Sequence, residues 1–261
     1  MEFLMEFLAS IGRVFFAFLG ATGRLALFTV STLSHAFRPP IYARLIGRQI
    51  IDIGYYSLPV VGLTAIFTGM VLTLQTHTGF SRFAAESAIP NVVVLSMTRE
   101  LGPVIAGLMV AGRIGAAIAA ELGTMRVTDQ IDALSTLSTN PYKYLVVPRV
   151  VAGIITLPIL VLIADIIGIF GGYLVGTYKL GYNPSGFLQH CADALQARDW
   201  ISGLIKAAVF GFIITLMGCY HGYHSKGGAQ GVGAATTYAV VSGSIMILLF
   251  NYILTALLFS E

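Results

Sequence analysis

The chain alternates long apolar blocks with short polar breaks. Ile53 to Thr76 carries no charge and exceeds the roughly 20 apolar residues needed to cross a bilayer core as a helix. Comparable blocks run over Asn91 to Ala120, Val147 to Tyr178 and Ile201 to Tyr220, with a last one inside 227–260. The pattern therefore predicts five spanning helices. Pro59 is expected to kink the first, because neighbouring helices can satisfy the carbonyl that proline frees. Gly168, Gly172 and Gly176 form two overlapping GxxxG units in the third, a spacing that permits close helix approach. The polar stretch from Lys179 to Trp200 reads as a surface loop.

Residues 1–38 are patterned differently. Their apolar run is interrupted by Glu2, Glu6, Arg13, Arg24 and Arg38, which at about 100° per residue fall on one stripe roughly 40° wide. A helix lying in the headgroup plane needs such a stripe, since one face meets water and the other acyl chains. A span over Val14 to Ser34 is the alternative, and it would hold Arg24 near the bilayer centre at a cost of about 3 kcal/mol or more. The pattern favours an interfacial helix over 1–40, followed by a five-span region over 45–261. The acidic Glu2 and Glu6 stand where a secretory signal would carry basic residues.

The longest polar break, Glu121 to Arg149, separates the second and third spans. Val127, Ile131 and Leu134 recur at helical spacing there, with Asp129, Gln130 and Asp132 on other faces, and Asn140-Pro141 reads as a helix stop. A short charged helix tethered between spans suits docking to a soluble partner; a solvated loop is the plainer reading. Sidedness follows from basic residues. Nine Lys and Arg lie outside the spans on the side of residues 1–50, the 121–149 loop and Lys226, against Arg82, Lys179 and Arg198 on the other. The richer side is expected to be cytoplasmic, which puts the N-terminus inside and Glu261 outside.

Composition narrows the class. Only 10% of the 261 residues are charged, where a soluble domain carries roughly 25%, so lipid solvates most of this chain. Cys191 and Cys219 fall in different segments and give no disulfide framework. No lysine follows a glycine, so GxxxxGK[ST] is absent and no ATP site is expected in this chain. Cys219, His221 and His224 have metal-like spacing but no carboxylate nearby, and no metal is expected. Arg99, Glu100, Asp165 and Lys206 are charges inside the apolar blocks, where they mark either function or structural ion pairs. At 1.5 Å per residue, Glu100 lies roughly 15 Å and Lys206 roughly 8 Å below the outer ends of their spans. Asp165 and Asn251 come about 22 Å up from the inner ends of theirs. All four fall in the outer half, and Glu100 is expected to approach Lys206 beside a cavity open to the external side.

Several stretches carry a family resemblance. GTMRVTDQIDAL, with NPYKYLVVPR after it, resembles the signature of MlaE/YrbE-type permeases, the membrane subunits of ABC transporters that work with MCE proteins in lipid trafficking. FTGMVLTLQ (67–75), RELGPVIAGLMVAGRIGAAIAAELG (99–123), GLIKAAVFG (203–211) and GVGAATTYAVV (231–241) extend the likeness over nearly everything from about residue 45. The resemblance implies an all-α integral membrane protein, with five transmembrane helices, an N-terminal amphipathic interfacial helix and a cytoplasmic coupling helix between spans two and three. It implies a homodimer that moves phospholipid between inner and outer bacterial membranes. A cytoplasmic ABC ATPase would bind the ATP, a periplasmic MCE-domain protein would receive or supply lipid, and a STAS-domain subunit often joins. No nucleic acid partner is implied. On this reading Glu121, Arg126, Asp129, Gln130 and Asp132 couple to the ATPase, while Leu72, Gln75, Arg99, Glu100, Asp165, Lys206 and Asn251 line the substrate pathway. Family members often have an acidic residue where this chain has Asn251. A different class, a proton-driven secondary transporter using Glu100, Asp165 and Lys206, would need no coupling loop.

Overall fold

The computed structural model describes residues 2–83 and 86–259. Among these residues the fold is entirely helical. The elements are α1 (Glu2–Ala36), α2 (Ala43–Phe80), α3 (Ile89–Val127), α4 (Gln130–Thr136), α5 (Tyr142–Lys179), α6 (Pro184–Ala194), α7 (Ala197–Tyr223) and α8 (Gly228–Phe259). Six helices are long and apolar enough to cross a membrane; the sixth, beyond the five expected spans, is the Phe15–Ala36 part of α1. The helices α2, α3 and α5, of 38, 39 and 38 residues, outrun the roughly 20 residues a span requires, so their ends project past the hydrocarbon.

α7 is the axis of the bundle. It packs on α5, α8 and α3 and buries Lys206, Ala207, Phe210, Ile214 and Met217. α8 buries only Ala235, Ala239, Gly243 and Ile247, one stripe at four-residue spacing, and exposes Tyr238, Val241, Ile245 and Tyr252. Small residues set the closest approaches. A methyl group at Gly69 of α2 would run into the carbonyl of Gly168 on α5, and one at Gly211 of α7 into that of Gly153. Gly172 likewise faces Thr73 of α2, and Gly176 faces Phe187 of α6. The glycine row of α5 therefore seats two neighbours.

Local irregularities fall where the sequence has breakers. A 3₁₀ turn over Tyr55–Ser57 immediately precedes Pro59 in α2. π-helical turns widen α3 at Met97–Leu101 and Ala111–Gly115, and such bulges free backbone carbonyls from the regular ladder. The segment 179–200, expected as a loop, contains α6. Asn183 caps it by accepting from Ser185 N, Pro184 occupies its first turn, and Phe187 and Cys191 turn inward. Two inward side chains in a polar stretch are too few to show as periodicity.

Among the described residues, α1 packs on the bundle through its C-terminal turns. Phe28 is buried among Tyr142, Tyr220, Tyr223 and His224. His35 stacks on Tyr142 and lies 3.0 Å from Asn140 Nδ2, and Lys143 Nζ donates to the Pro39 carbonyl at 2.7 Å. Arg13, Arg24 and Arg38 are exposed. The side chains of Glu2 and Glu6, and Glu261 as a whole, lie outside the described residues.

Candidate functional site

The first π turn of α3 holds both Arg99 and Glu100. Arg99 and Glu100 are adjacent in sequence but point apart, each to its own partner. Arg99 Nη2 lies 2.6 Å from Asp199 Oδ1, and Asp199 is buried at 1% exposure. Asp199 also accepts from Gln196 N at 3.0 Å, closing the capping box of α7. An acidic residue at a helix N-terminus is favoured by the helix dipole, so Asp199 fixes both the start of α7 and the Arg99 guanidinium.

Glu100 is the centre of a second group. Its Oε1 accepts from Lys206 Nζ at 2.7 Å, with the Thr255 hydroxyl 3.1 Å away, and its Oε2 accepts from Asn251 Nδ2 at 3.0 Å. Lys206 Nζ donates further to Thr255 Oγ1 at 2.8 Å and to the Arg99 carbonyl at 2.9 Å. All three ammonium protons thus have acceptors, one of them a carbonyl of the π turn. The group ties α3, α7 and α8 together at the bundle end opposite the 121–149 loop. Asn251 presents an amide donor to the Glu100 carboxylate.

The other expected pathway residues sit apart. Asp165 on α5 is buried, with Oδ1 unpartnered and packed against Gly102, and it makes no recorded bond to Glu100 or Lys206. Leu72 is half-buried and Gln75 exposed on α2, with no hydrogen bond to the cluster. Sequence reasoning missed Asp199 and Thr255. Asp199 lies two helical turns before Lys206, on the same face of α7, and Thr255 one turn after Asn251; that spacing was the available signal.

The expected coupling residues divide in two. Arg126 and Asp132 form an exposed ion pair at 2.6 Å across the turn between α3 and α4. Asp129 takes the left-handed conformation at φ 57, and Gln130 Nε2 donates to Thr128 Oγ1 at 3.0 Å. That turn breaks the helix after Val127, so Val127 shares no face with Ile131, which is buried and anchors α4 together with half-buried Leu134. Glu121 belongs instead to α3. It pairs with buried Arg149 of α5 at 2.8 Å, inside the bundle end rather than on α4. The expected stop at Asn140 is a start: its Oδ1 accepts from Tyr142 N at 2.9 Å and opens α5.

Near that end, Arg113 on the second π turn donates to Ser57 Oγ at 3.0 and 2.9 Å and to the Asp52 carbonyl at 2.6 Å. A cavity of about 440 Å³ lies between α2, α3 and α5, bordered by Arg113 and Arg149. The recorded lining of this cavity does not include Glu100 or Lys206.

Comparison with known proteins agrees with this architecture. A family model described as Permease MlaE matches residues 46–257. A "Probable ABC transporter permease protein" of Rickettsia felis is 59% identical over 98% of this chain and 99% of its own length. A protein of the same description from Synechocystis is 42% identical, over 86% of each chain. The "Intermembrane phospholipid transport system permease protein MlaE" of Haemophilus influenzae is 33% identical over 98% of both. The likeness runs through every spanning helix from α2 onward, and the chain belongs to the MlaE permease family.

Proposed function

We propose that this chain is the membrane permease of an ABC-type system that moves phospholipid between the two membranes of a bacterial envelope. The observation that carries the proposal is the match over 46–257, together with relatives named as ABC permeases and as a phospholipid transport permease. ATP is bound and hydrolysed by a separate cytoplasmic subunit, which docks on α4 and the Arg126–Asp132 turn. The chain itself holds no cofactor. An MCE-domain protein meets the opposite face, and a STAS-domain subunit joins the cytoplasmic side.

Two copies form the working unit. The long exposed apolar face of α8, which is supported over one narrow stripe, favours pairing there. Glu100, Arg99 and Asn251 meet the lipid headgroup beside that face, with buried Lys206 holding Glu100 in place, and Leu72 and Gln75 lie on its route. Five helices, α2, α3, α5, α7 and α8, cross the membrane. α1 lies at the cytoplasmic interface, in keeping with a helix that packs on the bundle at the loop end. The proton-driven alternative needs Asp165 in relay with Glu100 and Lys206, and Asp165 makes no bond to either.

The test is purification of the chain from its native membrane, followed by reconstitution. Co-purifying ATPase and MCE subunits, with ATP-dependent transfer of labelled phospholipid between donor and acceptor membranes, is the expected result. A chain that purifies alone and transports in response to a proton gradient overturns the proposal.

A further inference from the structure

We propose that the cavity between α2, α3 and α5 binds the phosphate-bearing headgroup of a lipid from the leaflet at the 121–149 end, as a site separate from the Glu100–Lys206 cluster. Three guanidinium groups border it from three helices: Arg48 of α2, Arg113 of α3 and Arg149 of α5. Two carboxylates also border it, Asp52 and Glu121, and Glu121 is already matched by its 2.8 Å pair with Arg149. The balance favours an anion.

Arg113 and Arg149 are fixed but not saturated. Arg113 is held through Nε and Nη2 by Ser57 and the Asp52 carbonyl, and Nη1 takes no part in those bonds. Arg149 is 4% exposed, and its Nε is buried with no acceptor. A buried donor without a partner is costly and uncommon in folded proteins. Arg48 is exposed and pairs with none of the described residues. A planar guanidinium presents parallel N–H donors at the spacing of phosphate oxygens, and a volume of about 440 Å³ suits a headgroup with its glycerol.

Depth points to a lipid rather than a dissolved anion. Arg113 lies roughly 21 Å along α3 from its Val127 end at 1.5 Å per residue; since α3 exceeds a core of about 30 Å, much of that length lies outside the hydrocarbon and the cavity sits at headgroup level. Ile51 and Tyr55, on the same stretch of α2, are 56% and 67% exposed and offer an apolar surface to acyl chains. Arg113 is also about 20 Å along α3 from Glu100, too far for one headgroup to touch both. The site rests on the transport reading for its lipid class, but its geometry stands without it.

The test uses the full chain with its partner subunits in phosphatidylcholine nanodiscs, carrying a photo-crosslinking benzoylphenylalanine in place of Tyr56 or, as a second position, Leu45; both border the cavity. Radiolabelled phosphatidylglycerol should crosslink about tenfold more than diacylglycerol with the same chains, as expected for a charge-assisted contact. Arg48→Gln should cut the yield severalfold and Ala117→Phe, which fills the cavity, should remove it, with both variants still monodisperse. Gly79→Ala, on the same helix as Arg48 but outside the cavity with nothing within 4 Å, should leave it unchanged. Equal labelling by diacylglycerol, or full competition by millimolar inorganic phosphate, overturns the lipid assignment. A chain-to-chain adduct in place of a lipid adduct makes the cavity an interface between copies and overturns it too. Transport without crosslinking at either position defeats this site alone. Crosslinking without transport defeats the transport reading and leaves the site standing.

Discussion

Lys206 Nζ lies 2.7 Å from Glu100 Oε1, yet the two ends of this bond are unequal: the lysine side chain is 0% exposed and the glutamate 38%. Removing one member of a fully buried pair costs about 3–5 kcal/mol, because the other is left as an uncompensated charge. Glu100→Leu strands the buried ammonium with only Arg99 O and Thr255 as acceptors, and the partly open carboxylate holds its cost near the lower end of that range. Lys206→Leu leaves Glu100 with Asn251, Thr255 and solvent, so it should cost less. Thermal unfolding of the purified chain should rank Glu100→Leu below Lys206→Leu. The double Leu variant should fold and bind its partners but move no lipid. Full transport by that double variant would return the pair to a structural role.

The turn before α4 offers a cleaner test of coupling. Arg126 pairs with Asp132 rather than Asp129, and the two side chains are 35% and 59% exposed, so exchanging them as Arg126→Asp with Asp132→Arg should change stability by about 1 kcal/mol. The exchange inverts the charges that face a docked ATPase. We expect intact assembly of the bundle and a loss of transport-coupled ATP hydrolysis, measured in reconstituted vesicles. Unchanged coupling would remove α4 from the docking surface.

The bundle's order, and the end of it at which Glu100 and Lys206 meet, were legible in the sequence because both follow from rise per residue and apolar length. That arithmetic put Glu100 and Lys206 in the same half of the membrane, close enough for their pairing to be expected. Their wider network was not legible. Asp199 was lost in a stretch read as loop, and the π turn that holds Arg99 and Glu100 has no compositional mark. Glu121 looked like part of the polar break, but α3 continues past it, because Leu122, Gly123 and Met125 keep the helix packed beneath a polar outer face. α6 was hidden for the opposite reason, with too few apolar residues to outvote its polar ones.

Close helix contact at Gly69 gives a prediction about packing. Its neighbour is the Gly168 backbone, which cannot rotate out of the way as a side chain would. Gly69→Ala should therefore destabilise by about 1–3 kcal/mol, the range for overpacking a filled core, and Gly69→Leu should prevent assembly. Gly79→Ala on the same helix, where nothing lies within 4 Å, is the matched control. Equal melting temperatures for the Gly69→Ala and Gly79→Ala variants would mean that α2 and α5 do not approach as described.

Sidedness can be read chemically, because the native thiols are poor reporters. Cys191 lies on α6, outside the spanning helices, with Sγ 3.6 Å from the Pro90 carbonyl. Burial pushes its thiol up from 9.0 to about 11. The folded chain therefore keeps this proton between pH 9 and 11 while the unfolded chain releases it, so the contribution of Cys191 to stability falls as pH rises through that window. At pH 7 it stays protonated and covered, and since the thiolate is the nucleophile, wild-type protein should react slowly with a membrane-impermeant maleimide. Against that background, Leu137→Cys on the loop after α4 and Tyr178→Cys near the end of α5 (74% and 85% exposed in the wild type) report opposite faces. In intact spheroplasts the Tyr178→Cys variant should label, and the Leu137→Cys variant only after permeabilisation. The reverse result would invert the topology taken from the basic residues. Arg13→Cys adds a test of α1: protection in intact spheroplasts fits a helix lying on the cytoplasmic interface. Labelling from outside would mean that Phe15–Ala36 crosses the membrane as a sixth span.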